Sequence, residues 1–143
     1  MLVGKYEQTI DAKGRVNIPS KFRSALGDSF VVAFGPVFGE NCANVYPKEQ
    51  WYAFMEKVQQ IDVEDRAMIM RFIQDNAQEC TLDTQGRAVI PGEIRQAAGL
   101  TKDIVVVGEH TKVEIWNLDR WKEYSEEAFD MDKISSIMKN MGI

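Results

Sequence analysis

The sequence predicts a mostly β fold with helices (α+β), in which two internal repeats close one barrel with helices around it. The repeat itself is the first observation. Residues 11–19 read DAKGRVNIP and residues 83–91 read DTQGRAVIP, five identities in nine positions. The agreement continues downstream: Phe22-Arg23 matches Ile94-Arg95, Gly27 matches Gly99, Val45-Tyr46 matches Ile115-Trp116, and Trp51 matches Trp121. The offset drifts from 72 to 70, as small loop changes would produce. The second observation is the β-branched run that follows each motif, FVVAFG at 30–35 and IVVVGE at 104–109. The third is size. The 143 residues are 45% hydrophobic and 27% charged, a globular balance. Half that length buries too little surface alone, so the two units are expected to share a core.

Each unit reads in the same order. A first strand, about 4–10 (77–82 in the second copy), ends at a D-x-x-G turn. Asp11 and Gly14, like Asp83 and Gly86, suit a type I turn followed by a left-handed glycine. A second short strand alternates Val16 and Ile18, or Ala88 and Ile90. A brief helix follows, with Pro19 and Pro91 expected in its first turn and Gly27 and Gly99 at its end. The β-branched runs, 30–34 and 104–107, are expected to pair with 42–46 and 113–116. A second helix starts near Pro47, or near Asn117 as a cap. On it Trp51, Phe54, Met55 and Val58 recur at i, i+3, i+4 and i+7, a core stripe. Between the units, residues 62–74 read as a helix capped by Asp62, with Ile69, Phe72 and Ile73 on its apolar side. The organisation is then a first repeat at 4–60, a connecting helix at 61–76, a second repeat at 77–130 and an amphipathic tail at 131–143. In the tail Ile134, Ile137, Met138 and Met141 fall at helical spacing. It is expected to pack on its own core or on a neighbouring subunit.

Several function classes are disfavoured. No apolar run approaches the roughly 20 residues of a membrane span. The start, MLVGKYEQ, lacks a basic segment followed by an apolar stretch, so no signal peptide and a cytoplasmic compartment are expected. Cys42 and Cys80 are far apart, and with His110 they make too few ligands for structural zinc. No cofactor or metal is implied. Asp11 and Asp83 are the right material for acid–base chemistry, but both sit where the turn already requires aspartate. No Ser-His or Cys-His arrangement and no glycine-rich phosphate loop stands out. Glu126, Glu127, Asp130 and Asp132 read as a solvated acidic face. An enzyme is therefore not expected.

Net charge is −5, yet its distribution is polarised. Residues 1–26 carry Lys5, Lys13, Arg15, Lys21 and Arg23 against Glu7 and Asp11, or +3. Residues 77–100 carry Arg87 and Arg95 against Glu79, Asp83 and Glu93, or −1. Lys13 at the first turn is matched by Gln85, and Lys21 by Glu93. A two-stranded ribbon is narrow enough for the major groove, arginine reads guanine edges, and lysines hold phosphates. A purely local reading stands beside this one: Asp11 and Arg15, like Asp83 and Arg87, pair across the neck of their own hairpin.

The paired motifs D11-A-K-G-R15 and D83-T-Q-G-R87, each running into I-P and a short helix, resemble the MraZ family, built of two AbrB-like (SpoVT-AbrB) units. The resemblance covers nearly the whole chain and thins after about residue 130. It implies an AbrB/MraZ-like swapped-hairpin β-barrel surrounded by helices. It implies a ring-like homo-oligomer that binds tandem boxes of double-stranded DNA ahead of the cell-division and cell-wall gene cluster, usually as a repressor, in association with the nucleoid. Carried over residue by residue, Lys13 and Arg15 become the DNA-contacting pair, and Arg23 with Lys5 or Lys21 become phosphate contacts. Gln85 stands where the first motif has Lys13, so Arg87 is assigned a lesser DNA role. The rival class is an antitoxin-like or protein-interaction module on the same barrel, which would carry a disordered, partner-wrapping tail. Val37 and Phe38, in the loop 35–41, are candidates either for a subunit contact or for packing back on the barrel.

Overall fold

The computed structural model describes residues 1–39 and 41–143, so Glu40 of the 35–41 loop lies outside the described residues. The first repeat runs β1 (Lys5–Thr9), β2 (Arg15–Asn17), α1 (Ser20–Leu26), β3 (Ser29–Ala33), β4 (Ala43–Pro47) and α2 (Lys48–Val58). After α3 (Val63–Asn76), the second runs β5 (Ala77–Thr81), β6 (Arg87–Val89), α4 (Gly92–Ala97), β7 (Asp103–Glu109), β8 (Lys112–Asn117) and α5 (Leu118–Ala128). A final helix, α6, spans Met131–Asn140. Both repeats thus have the predicted element order.

The strands exchange partners between repeats. Six form one antiparallel sheet in the order β1-β7-β8-β4-β3-β5, and β2 pairs with β6 in a separate two-stranded ribbon. β1 of the first repeat lies on β7 of the second, from Lys5↔Val107 to Thr9↔Asp103. Reciprocally, β5 lies on β3, from Ser29↔Thr81 to Ala33↔Ala77. β4 and β8 join the halves at Ala43↔Ile115 and Val45↔Val113. This is the swapped-hairpin arrangement. No continuous ladder joins the sheet edges β1 and β5 among the described residues; the β2–β6 ribbon instead packs on the sheet. Val16, Ile18, Ala88 and Ile90 from the ribbon and its flanks cluster with Phe30, Val32, Val45, Ile104, Val106 and Ile115 of the sheet. Burial of such side chains contributes about 1.5–3 kcal/mol each.

The opposite face of the sheet carries two helical layers. Trp51, Phe54, Met55 and Val58 of α2 pack with Ala33, Tyr46 and Phe38 and with Ile69, Met70 and Ile73 of α3, as the stripe required. Trp121 and Tyr124 of α5 cover Cys42, Val105 and Trp116. Between these layers lies a polar network that periodicity did not reveal. Lys112, 8% exposed, donates from Nζ to the Phe38 carbonyl at 2.6 Å and Asn44 Oδ1 at 2.7 Å, and pairs with Glu114 at 3.3 Å. Asn44 is fully buried and donates to the Ala33 and Cys42 carbonyls. Such groups are tolerated inside only when paired. Tyr46 donates to the Phe38 carbonyl at 3.0 Å, and burial pushes its phenol up to about 12.

One open alternative is decided and two expectations need correction. Of the two readings of Phe38, packing back is the one found: it is 3% exposed, stacked on Trp51 and Phe72 with centroids 6.0 and 6.4 Å away. A 3-10 turn at Pro36–Phe38 folds the ring back, while Val37 stays 61% exposed. Asp62 occupies the N-cap of α3, but its side chain makes no capping bond. Its carbonyl accepts the Asp65 and Arg66 N–H groups instead. Pro19 and Pro91 stand at the N-caps of α1 and α4 rather than within the first turn. Asn117 does cap α5, accepting from the Arg120 N–H at 3.1 Å.

Replacing Phe38 by alanine removes the ring that four other aromatics contact, and should cost about 3–5 kcal/mol of unfolding free energy. Chemical denaturation measures this, and a loss below about 1 kcal/mol would show that the loop packs elsewhere.

Candidate nucleic-acid interface

Each hairpin turn is built by its aspartate. Asp11 Oδ1 accepts from the Lys13 N–H at 3.0 Å and the Arg15 N–H at 2.8 Å, and Oδ2 pairs with Arg15 Nε. Asp83 repeats the pattern with Gln85 N–H at 2.8 Å, Arg87 N–H at 2.9 Å and Arg87 Nε at 2.9 Å. The local pairing read from the D-x-x-x-R spacing therefore exists in both copies. It does not exhaust the arginines. Nε is engaged, while among the described residues the Nη groups of Arg15 and Arg87 donate to no protein acceptor. The carboxylate thereby fixes each guanidinium with its outer edge free, the edge that reads a guanine or a phosphate bidentately.

Both carboxyls are held below the usual carboxylate range. The Arg15 backbone N–H contributes most at Asp11 against partial desolvation, with the Arg15 side chain adding to it. The Arg87 backbone N–H does the same at Asp83, followed by that of Gln85.

The glycines have two reasons to be glycine. Gly14 and Gly86 adopt φ of +79° and +75°, where an L side chain costs about 1–2 kcal/mol. Each is also covered by an arginine from the opposite repeat. A Cβ on Gly86 would fall 2.4 Å from Arg23 Cζ, and one on Gly14 would fall on the Arg95 guanidinium. Arg23 Nε donates to the Ile18 carbonyl at 2.8 Å, and Arg95 Nη1 is buried without a hydrogen-bond partner among the described residues. Arg95 is a member of the site that sequence reasoning missed. The Arg23/Arg95 match in the repeat was visible, but not that each reaches across to the other hairpin.

This crossing changes the meaning of the charge asymmetry. The ribbon is antiparallel, so its two turns lie at opposite ends, each against the other repeat's helix. The Ile18 N–H donates to the Gly86 carbonyl at 3.1 Å and the Ile90 N–H to the Gly14 carbonyl at 2.9 Å. One end gathers Lys13 and Arg15 with Arg95 of α4. The other gathers Arg87 with Arg23 of α1, and with Lys21 beside Arg23 in a cleft that also includes Asn17 and Pro19. The basic surplus that the sequence assigns to one repeat is spread along the whole ribbon. Lys5 does not join it. It sits at the far end of β1, about 13 Å of strand before Thr9.

Two measurements check this geometry. In a double-mutant cycle, Gly86→Ala and Arg23→Ala should couple by about 0.5–1.5 kcal/mol, because either change alone disturbs the Arg23–Ile18 bond. Additive costs would mean that the arginine does not rest on the turn. The Asp11 and Asp83 carboxyls should titrate by NMR with midpoints below 3.8, the ordinary value. A depressed native pKa stabilises the turns above that value and loses the effect as pH falls through the native midpoint. Midpoints at or above 3.8 would contradict the bonding described.

Comparison with known proteins agrees with the architecture. The family model described as "MraZ protein, putative antitoxin-like" matches residues 1–71 and 73–140. A protein called transcriptional regulator MraZ from Lachnoclostridium phytofermentans is 43% identical over 144 residues, covering 100% of this chain and 99% of that one. The protein of the same name from Clostridium tetani is 38% identical, with 100% of both chains covered. That from Thermoanaerobacter pseudethanolicus is 45% identical over 127 residues, 87% of each. With the duplicated turn motif, the exchanged strands and these full-length similarities together, the chain belongs to the MraZ family.

Proposed function

We propose that this protein is a sequence-specific, double-stranded-DNA-binding transcriptional regulator, and that the β2–β6 ribbon with its two turns is the surface that meets DNA. The carrying observation is that Arg15 and Arg87 stand on one exposed ribbon face, each preset by its aspartate. The relatives' name, transcriptional regulator, supports the reading. Arg15 and Arg87 read base edges, while Lys13, Lys21 and Arg23 hold phosphates. Lys5 serves at most a flanking phosphate. Asp11 and Asp83 act as positioning residues for the arginines rather than as acid–base groups, so the reading is of a non-enzyme.

The proposal extends to assembly. One ribbon with a few cations binds weakly, and several on one frame raise avidity by about 10² to 10⁴. A ring-like homo-oligomer on tandem promoter-proximal boxes follows from that need, acting as a repressor of the cell-division and cell-wall gene cluster within the nucleoid. The exposed apolar residues of the C-terminal helix suit a subunit contact: Met131, Ile137, Met138 and Met141 are 45–74% exposed. Among the described residues no helix is long and apolar enough to cross a membrane.

Fluorescence anisotropy with labelled promoter-proximal duplex, across a salt series, tests the interface. Lys13→Ala with Arg15→Ala should weaken binding at least tenfold and flatten the salt slope by about one to two. Arg87→Ala should also weaken binding at least tenfold. Unchanged binding in all variants would remove the ribbon from the interface. Limited proteolysis separates regulator from antitoxin: in the assembled protein residues 131–143 should resist cleavage, whereas a partner-wrapping tail would be cut at once.

A further inference from the structure

The outer face of the ribbon carries four side chains, and the arginines are only two of them. Val16 and Ala88 are fully buried, so Arg15, Asn17, Arg87 and Val89 alternate outward. Their cross-strand partners are Arg15↔Val89 and Asn17↔Arg87. The bonds from Ile18 to Gly86 and from Ile90 to Gly14 set the ladder phase. By alternation the Val16/Ala88 pair is the hydrogen-bonded one. The two outer pairs are the narrow kind, with side chains about 4.5–5.5 Å apart. The repeat superposes Arg15 on Arg87 and Asn17 on Val89. The arginine is duplicated, and its neighbour two residues on is not.

Both unlike residues are presented rather than packed. Val89 is 53% exposed, a branched apolar side chain in the middle of a polar face. Asn17 is also exposed, and its backbone is clamped by the Gln8 side chain, which accepts from the Asn17 N–H at 3.1 Å and donates to its carbonyl at 2.8 Å. Among the described residues the Asn17 carboxamide has no hydrogen-bond partner. The matching position to Gln8 in the second repeat is Cys80, whose Sγ instead faces the Gln78 carbonyl at 3.7 Å.

We infer that Asn17 and Val89 are specificity-determining residues that give the DNA site a direction, an inference that rests on the ribbon reading above. In the major groove an asparagine matches the N6/N7 edge of adenine, an apolar side chain matches the thymine methyl, and arginines match guanine O6/N7. Arg15 and Arg87 are diagonal neighbours about 7–8 Å apart, roughly two base steps of 3.4 Å. The element read is a pair of guanines, with an adenine beside the Arg87 contact and a thymine beside the Arg15 contact. Two identical half-ribbons would favour a palindromic step. The unlike pair makes the step directional.

The test is selection of binding sites from a random duplex pool, followed by anisotropy with single thymines replaced by uracil. The proteins are wild type, Asn17→Val, Val89→Asn and Val89→Thr. Wild type should select a directional core and lose about fivefold or more in affinity at one thymine→uracil change. Val89→Asn should lose that uracil sensitivity and select a more symmetric core, Asn17→Val should drop the adenine preference, and Val89→Thr should retain wild-type selection. All variants should keep the wild-type salt slope, because no charge changes. Variants that select the wild-type core, or a wild type indifferent to uracil, would overturn the role of Asn17 and Val89 while leaving ribbon binding intact. A wild type that binds no duplex would overturn both.

Discussion

Among the described residues, the first hairpin of each repeat has no ladder partner within its own repeat. β1 finds its backbone hydrogen bonds on β7 and β5 finds its own on β3, while the two short inner strands ladder on each other, tied to their own hairpins only at the neck by Asp11–Arg15, Asp83–Arg87 and the single Leu82↔Ala88 bridge. Buried backbone groups must be paired, and here the pairing is met only when both repeats are folded together. Everything that makes the surface interesting follows from this exchange. It sets the ribbon over the core, brings two arginines to one face, and lays each repeat's helix against the other repeat's turn.

The exchange also explains how a chain of net charge −5 can present a basic surface. Charges matter over distances comparable to the screening length, about 8 Å at physiological salt. Within that range of each turn, sequence neighbours are not the only neighbours. Lys21 and Arg23 are far in sequence from Gln85 yet belong to its end of the ribbon. The acidic residues of the last two helices are engaged differently: Asp130, for example, caps α6 by accepting from the Lys133 N–H at 3.1 Å. Polarity is thus divided by location, with cations on the ribbon and much of the acid on the C-terminal helices.

Much of this was legible in the sequence because it is local. The D-x-x-G turn, the short alternating strands, the Asn117 cap and the Trp51–Val58 stripe each depend on spacing within about two helical turns or one hairpin. The family resemblance supplied the swap, which periodicity alone does not encode, since a strand's pattern names its buried face but not its partner. Three features escaped. Lys112 reads as a surface lysine until the fold brings Asn44, Glu114 and the Phe38 carbonyl around it. Phe38 sits in a glycine-flanked loop whose spacing leaves both an exposed and a packed reading open, and its pocket is made only when Tyr46, α2 and α3 come together. Arg95 and Arg23 look like helix-surface cations because the glycines they cover lie some 60 to 80 residues away in the chain.

The central claim is that strands from both repeats form one DNA-facing surface. Hydrogen–deuterium exchange of the whole protein, with and without promoter-proximal duplex, tests it most directly. The account predicts that slowed exchange appears together in segments 13–18 and 85–90, with the α2–α3 layer unchanged. Protection confined to the first repeat's hairpin, or found on the helical layers instead, would contradict it.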